Sequence, residues 1–118
     1  MYPTKNAIVF LNKALNLPAT GREQDWDIEL ADANRVNEFV DYFENHALDK
    51  EYKLALMALI MGSLEEASCG KSIPKEIWGR VTRLLRSDPT LYADLVKRWA
   101  PQGDDHDDFA ISKLVRLL

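Results

Sequence analysis

The sequence predicts an all-α protein, a single-domain bundle of five or six helices around a central buried helix at about residues 50–69. Three observations favour this fold. The 118 residues match the usual size of one domain. Apolar residues recur at spacings of three and four along most of the chain. The run "LALMALIM", residues 54–61, is apolar on every side of a helix, which is typical of a helix enclosed by others.

The boundaries of the first three helices can be placed from capping and breaking residues. Thr4 can cap a first helix that ends before Pro18, and a second amphipathic helix follows Asp32. Asp49 precedes the central helix. Gly62 and Ser63 lower helix propensity inside that helix, so we expect a close helix crossing there.

The second half of the chain contains two further helices and an apolar tail. Pro74 suits the start of the fourth helix, and Asp88 with Pro89 suits the start of the fifth, which Pro101 ends. The segment "QGDDHDD" then predicts a loop. The tail "FAISKLVRLL" predicts a short helix that returns to the bundle.

An extended arm is expected near residues 25–31, because apolar and acidic residues alternate in "DWDIELAD" with a period of two. The apolar positions are Trp26, Ile28 and Leu30, and the acidic positions are Asp25, Asp27 and Glu29. We expect the apolar edge to lie on the core. The three carboxylates would then face water.

Charge is distributed unevenly along the chain, whose formal net charge is −4. Residues 20–51 carry a net charge of −7, whereas residues 71–98 carry +4. An acidic face steers a basic protein and repels nucleic acid, so the expected partner is a basic protein. The predicted contacts are Asp25, Asp27, Glu29, Glu38, Asp41 and Glu44. Two faces of opposite charge also permit a homodimer.

Several core segments resemble those of small all-helical bacterial proteins of the immunity-protein type. The likeness extends over residues 25–118 and includes "DWDIELAD", "ALMALIMGSLEE", "IWGRVTRLL", "YADLVKRWA" and "FAISKLVRL". It implies a non-enzymatic binding role, in which an acidic face blocks a basic toxin domain. The leading prediction is therefore an immunity or antitoxin-like inhibitor.

Two alternatives remain open. In "GDDHDDF", residues 103–109, the pair His106 and Asp107 with His46 could serve a metal-dependent hydrolase of HD type. The separated aspartate that would complete such a site is missing, and an EF-hand reading fails at the turn glycine and the final glutamate. The second alternative is nucleic-acid binding through a helical ridge of Arg80, Arg83 and Arg86.

Other function classes lack their sequence signals. One cysteine, Cys69, excludes an internal disulfide framework and zinc sites made of several thiolates. No phosphate-binding glycine loop, nucleophile elbow or dinucleotide motif is found, so no cofactor is expected. No secretory signal is readable, and the longest apolar run is too short to span a membrane. We expect a cytoplasmic protein.

Overall fold

The computed structural model describes residues 3–68 and 73–99, and within them the chain forms six α-helices and one 3-10 turn. The all-α bundle predicted from the sequence is confirmed. In chain order the helices are α1 (Lys5–Ala14), α2 (Trp26–Glu29), α3 (Val36–Asn45), α4 (Lys50–Ser68), α5 (Lys75–Ser87) and α6 (Pro89–Trp99). The 3-10 turn (Ala33–Arg35) leads directly into α3.

Helix α4 is the centre of the fold, as its uniform hydrophobicity predicts. Every residue from 54 to 64 is buried, and α1, α2, α3, α6 and the 3-10 turn all pack against this helix. A helix enclosed in this way has no polar stripe, because no side of it faces water along the buried section. Its central turns therefore form the core that holds the shorter helices in place.

The outer helices begin where the capping residues predict. The Thr4 hydroxyl accepts a hydrogen bond from the Ala7 amide at 3.2 Å at the start of α1. A single residue, Asp88, separates α5 from α6, and its carboxylate accepts from the Leu91 amide at 3.3 Å. Pro89 then opens α6, where a missing amide hydrogen costs nothing.

The prediction of an extended arm at residues 25–31 is wrong, because this segment forms the helical turn α2. The amide groups of Ile28 and Glu29 donate to the carbonyl of Asp25 at 2.9 and 2.8 Å. Trp26 and Leu30 are both buried, and their spacing of four residues suits one helical face as well as one strand edge. Ile28 distinguishes the two conformations. An extended arm would place its side chain on the core with Trp26 and Leu30, whereas in α2 the side chain is 46% exposed.

Several sequence predictions fall outside the described residues. They include the end of the central helix at Cys69, the segment "GDDHDDF" with His106 and Asp107, and the returning apolar tail.

Candidate protein interaction surface

Helix α2 lies against α4 at the position where the sequence predicts a close crossing. A Cβ atom built on Gly62 would overlap the backbone carbonyl oxygen of Asp27 and would lie 3.6 Å from the Cβ of Ala31. The next residue of α4, Ser63, is fully buried, and its hydroxyl accepts from the Asp32 amide at 3.0 Å. The expected close crossing at Gly62 is confirmed. Glycine is required there because the neighbouring atom belongs to the backbone.

A buried ion pair attaches α2 to α6. The Asp27 side chain is only 1% exposed, and its Oδ2 accepts from Nη1 of Arg98 at 2.9 Å. The second carboxylate oxygen, Oδ1, has no hydrogen-bond partner among the described residues. Burial raises the pKa of Asp27 above its usual value, and the positive charge of Arg98 opposes that rise.

The burial of Asp27 corrects one predicted partner contact. We expected this carboxylate on a solvated edge, beside those of Asp25 and Glu29. The helical turn instead directs it into the bundle, where an arginine 71 positions later in the chain supplies the counter-charge. Asp27 is therefore a structural residue that a partner could not contact on the surface.

A third contact joins α2 to α1. The indole Nε1 of Trp26 donates to the side-chain oxygen of Asn12 at 2.8 Å, and the Trp26 ring is buried. A helix of four residues has too few internal hydrogen bonds to be stable by itself. Contacts with α1, α4 and α6 therefore fix its position and its orientation.

The Glu29 carboxylate is exposed and folds back over the start of α2. Its Oε2 accepts from the amides of Gln24 and Asp25 at 2.8 and 2.7 Å. This arrangement satisfies two backbone donors that have no helical partner. Glu29 thus stabilises the turn while it adds negative charge to its surface.

The three predicted contacts on α3 form ion pairs within the protein. Glu38 binds Arg35 through two hydrogen bonds of 2.6 and 2.8 Å, which lowers the pKa of Glu38. Asp41 and Glu44 both bind the guanidinium of Arg80 on α5, at 2.5 and 2.6 Å. These two hydrogen bonds raise the pKa of Arg80. Asp41 and Glu44 therefore connect α3 to α5, whereas Glu38 is paired with the 3-10 turn directly before α3.

Negative charge remains in excess after this pairing. From residue 25 to residue 44 the chain carries seven carboxylates, and three arginines (Arg35, Arg80 and Arg98) form the ion pairs with them, which leaves a formal charge of −4. The side chains of Glu38 and Asp41 are still 54% and 58% exposed. Ion pairing of this kind removes part of the acidic field and keeps its sign.

The predicted acidic face divides into two parts, because α2 and α3 each pack on α4 with the 3-10 turn between them. One part is α2, with the exposed Asp25 and Glu29. The other is the outer side of α3, with Glu38, Asp41 and Glu44. Together they include every predicted partner contact except the buried Asp27.

A cleft of about 340 Å³ lies between α2 and α4, and no sequence pattern indicates it. Its described lining consists of Ile28, Ala31, Gly62, Glu65, Glu66 and Trp99. Ile28 was assigned to the core because it fits the alternating pattern. Glu66 could have been noticed as an acidic residue directly after the apolar section of α4. We call the space that these residues line the α2–α4 cleft.

The arginine ridge is only partly available to a ligand. Arg80 is bound by two carboxylates of α3, whereas Arg83 and Arg86 are exposed. A phosphate backbone would have to compete with Asp41 and Glu44 for Arg80. Nucleic-acid binding by this ridge stays a prediction.

Neither a metal centre nor a membrane span is found in the described part of the chain. No three His, Cys, Asp or Glu side chains within residues 3–68 and 73–99 come together as a metal site requires. None of the described helices combines the length and hydrophobicity needed to cross a bilayer. The side chain of His46 is exposed and stacks on the ring of Tyr42, with ring centroids 3.8 Å apart. The hydrolase alternative depends on His106 and Asp107 and is not tested by these residues.

Comparison of the chain with protein-family models, with curated proteins and with solved structures gives no match. The resemblance to immunity proteins therefore stays a prediction.

Proposed function

We propose that the protein is a non-enzymatic interaction module that binds a basic protein partner through its acidic surface, in the manner of an immunity or antitoxin-like inhibitor. The observation that carries the proposal is the excess of exposed carboxylates on α2 and α3 after internal pairing. Such a surface attracts a basic protein over a distance of about one Debye length, ~8 Å at physiological salt.

The expected mechanism is electrostatic steering followed by occlusion. Opposite charges raise the rate of encounter, whereas a few buried anchor residues provide most of the affinity. A partner whose basic surface is its own substrate-binding or catalytic surface would be blocked by such a complex. Inhibition then needs no chemical step in the inhibitor.

The experiment begins with capture on immobilised protein at low salt and elution at about 1 M NaCl, where the Debye length falls to ~3 Å. The captured protein is then purified and titrated by calorimetry, because capture alone does not establish specific binding. We expect a basic protein whose affinity decreases steeply with salt.

Charge reversal identifies the surface. Asp25→Lys should weaken binding several-fold, because Asp25 is exposed and forms no ion pair among the described residues. Asp94→Lys on the exposed side of α6 makes the same change in net charge and serves as the control. Equal effects of the two substitutions would show that net charge alone matters. Binding that is insensitive to salt and to Asp25→Lys would refute the proposal.

A further inference from the structure

Ile28 differs from the other large apolar residues that are exposed in the described part of the chain. Val9 and Phe10 lie on α1, whose charged residues are lysines, and the Phe10 ring is stacked on Tyr52 with 4.7 Å between centroids. Ile28 instead lines the α2–α4 cleft. Isolated exposed apolar residues are common on proteins, but one beside a cleft with carboxylates forms a combined apolar and acidic surface.

The fold holds Ile28 in a fixed position. Its four-residue helix contacts α1 through Trp26, α4 at Gly62 and α6 through Asp27, so both the backbone and the side chains of α2 are restrained. A surface residue held in this way loses little conformational freedom when a partner binds. Preorganisation of this kind increases affinity because it reduces the entropic cost of association.

Charge around the cleft selects the ligand. Glu66 belongs to the lining, Asp25 lies one helical turn before Ile28, and the described lining contains no lysine or arginine. The volume of about 340 Å³ is at the small end of the range for ligand pockets, ~300–1,000 Å³. A cleft of this size can receive one side chain of a partner. Lysine and arginine stems can also lie along apolar surface while their charges reach the carboxylates.

We infer that the α2–α4 cleft receives one apolar side chain of the basic partner, carried on a segment with lysine or arginine on both sides of it. The inference rests on the proposed function and adds the anchor to it. The apolar side chain packs on Ile28 and Ala31, and the flanking cations lie beside Asp25 and Glu66. The carboxylates bring the partner to the surface, and burial of the anchor slows its release.

The test uses two synthetic peptides of equal charge. Both consist of lysine and arginine residues around one central position, which is leucine in the first peptide and serine in the second. Binding is followed by amide chemical shifts of the isotope-labelled full chain. Burial of a leucine should make the first peptide bind about tenfold more tightly. The largest shifts should occur at Ile28, Ala31 and Gly62.

Two variants separate the anchor from the charge. Ile28→Ser should remove the advantage of the leucine peptide and leave the serine peptide unchanged. Val9→Ser, at a side chain that is 59% exposed on α1, is the matched control and should change neither. Asp25→Lys should weaken both peptides by a similar factor.

The outcomes distinguish the inference from the proposed function. If both peptides bind equally and salt weakens both, or if the leucine advantage survives Ile28→Ser, the anchor is overturned and the acidic surface stands. If neither peptide binds at low salt, the anchor is overturned and the proposed function is contradicted as well. If the shifts of the leucine peptide lie on α5 and α6, the apolar contact is elsewhere and the inference is wrong.

Discussion

Gly62 is the position at which the packing of α2 on α4 can be tested most directly. The change is Gly62→Ala, which adds one methyl group inside α4. That methyl would overlap the Asp27 carbonyl oxygen and would lie 3.3 Å from the carbonyl carbon. A flexible side chain could rotate away, but the Asp27 carbonyl belongs to the backbone of α2 and can move only if α2 moves with it.

The size of the effect follows from two opposing contributions. Glycine inside a helix costs ~0.8–1.0 kcal/mol relative to alanine, so the substitution gains this amount wherever space permits. Overpacking a core position costs typically ~1–3 kcal/mol. The net loss for Gly62→Ala is therefore as much as about 2 kcal/mol.

Gly79 provides the matched control, because it is an exposed glycine in α5 with no atom within 4 Å of a built Cβ. Gly79→Ala should stabilise the protein by ~0.8–1.0 kcal/mol through helix propensity alone. The difference between the two variants isolates the steric cost at Gly62, about 1–3 kcal/mol. In a domain near 100 residues, each 1 kcal/mol corresponds to a Tm change of about 4 °C or more.

The assay is urea unfolding of both variants followed by far-UV circular dichroism. If Gly62→Ala raised the free energy of unfolding as much as Gly79→Ala, α2 would not lie against α4 at this position. Such a result would refute the close packing of α2 on α4 at Gly62. The anchor proposed at Ile28 would lose its preorganisation for the same reason.

Three further predictions concern the contacts that hold the helices together. Arg98→Ala leaves the Asp27 carboxylate buried without its counter-ion, and it should cost ~3 kcal/mol at neutral pH in urea unfolding. Burial raises the pKa of Asp27 in the folded protein, so this carboxyl contributes less to stability as the pH rises above its pKa in the unfolded chain. The stability lost in Arg98→Ala should therefore shrink toward pH 4, as the carboxyl becomes protonated. A loss that does not depend on pH would contradict this assignment. Arg80→Ala removes two surface ion pairs to α3 and should cost ~1 kcal/mol at low salt and almost nothing at 1 M NaCl, whereas Arg83→Ala should change little at either salt concentration. Thermal unfolding at the two salt concentrations checks this, and a cost that persists at 1 M NaCl would contradict it. Asn12→Ala leaves the buried indole N–H without its acceptor and should cost ~1–2 kcal/mol in the same urea assay, and an unchanged midpoint would show that water replaces the amide.

The sequence predicted the parts of the fold that depend on local patterns. Uniform hydrophobicity from residue 54 to residue 61 identified the central helix, and Gly62 inside it indicated the close crossing. Thr4 and Asp88 marked helix starts, because their side chains satisfy free amides a few residues later. These features depend on neighbours along the chain, which a sequence displays directly.

The site was predicted less well, because it depends on contacts between distant residues. The alternation in "DWDIELAD" agrees with a strand at every position, and only the observed environments of Asp27, which is buried, and Ile28, which is exposed, distinguish the helical turn from a strand. The partner of Asp27 is Arg98, 71 residues away, and no spacing rule connects them. Five of the six predicted acidic residues are exposed on or beside α2 and α3, Asp27 is buried, and the sequence did not predict the pairing of the α3 carboxylates with Arg35 and Arg80.

Internal pairing changes which carboxylates can report on recognition. Reversal at Asp41 or Glu44 would break the contact with Arg80 as well as change the field, so reduced binding could follow from altered packing of α3 against α5. Asp25 and Glu66 form no ion pair among the described residues, and both are exposed. Their reversal changes the charge of the surface without removing either partner of an ion pair between helices. The residues that best test a basic partner are therefore the ones that contribute least to holding the bundle together.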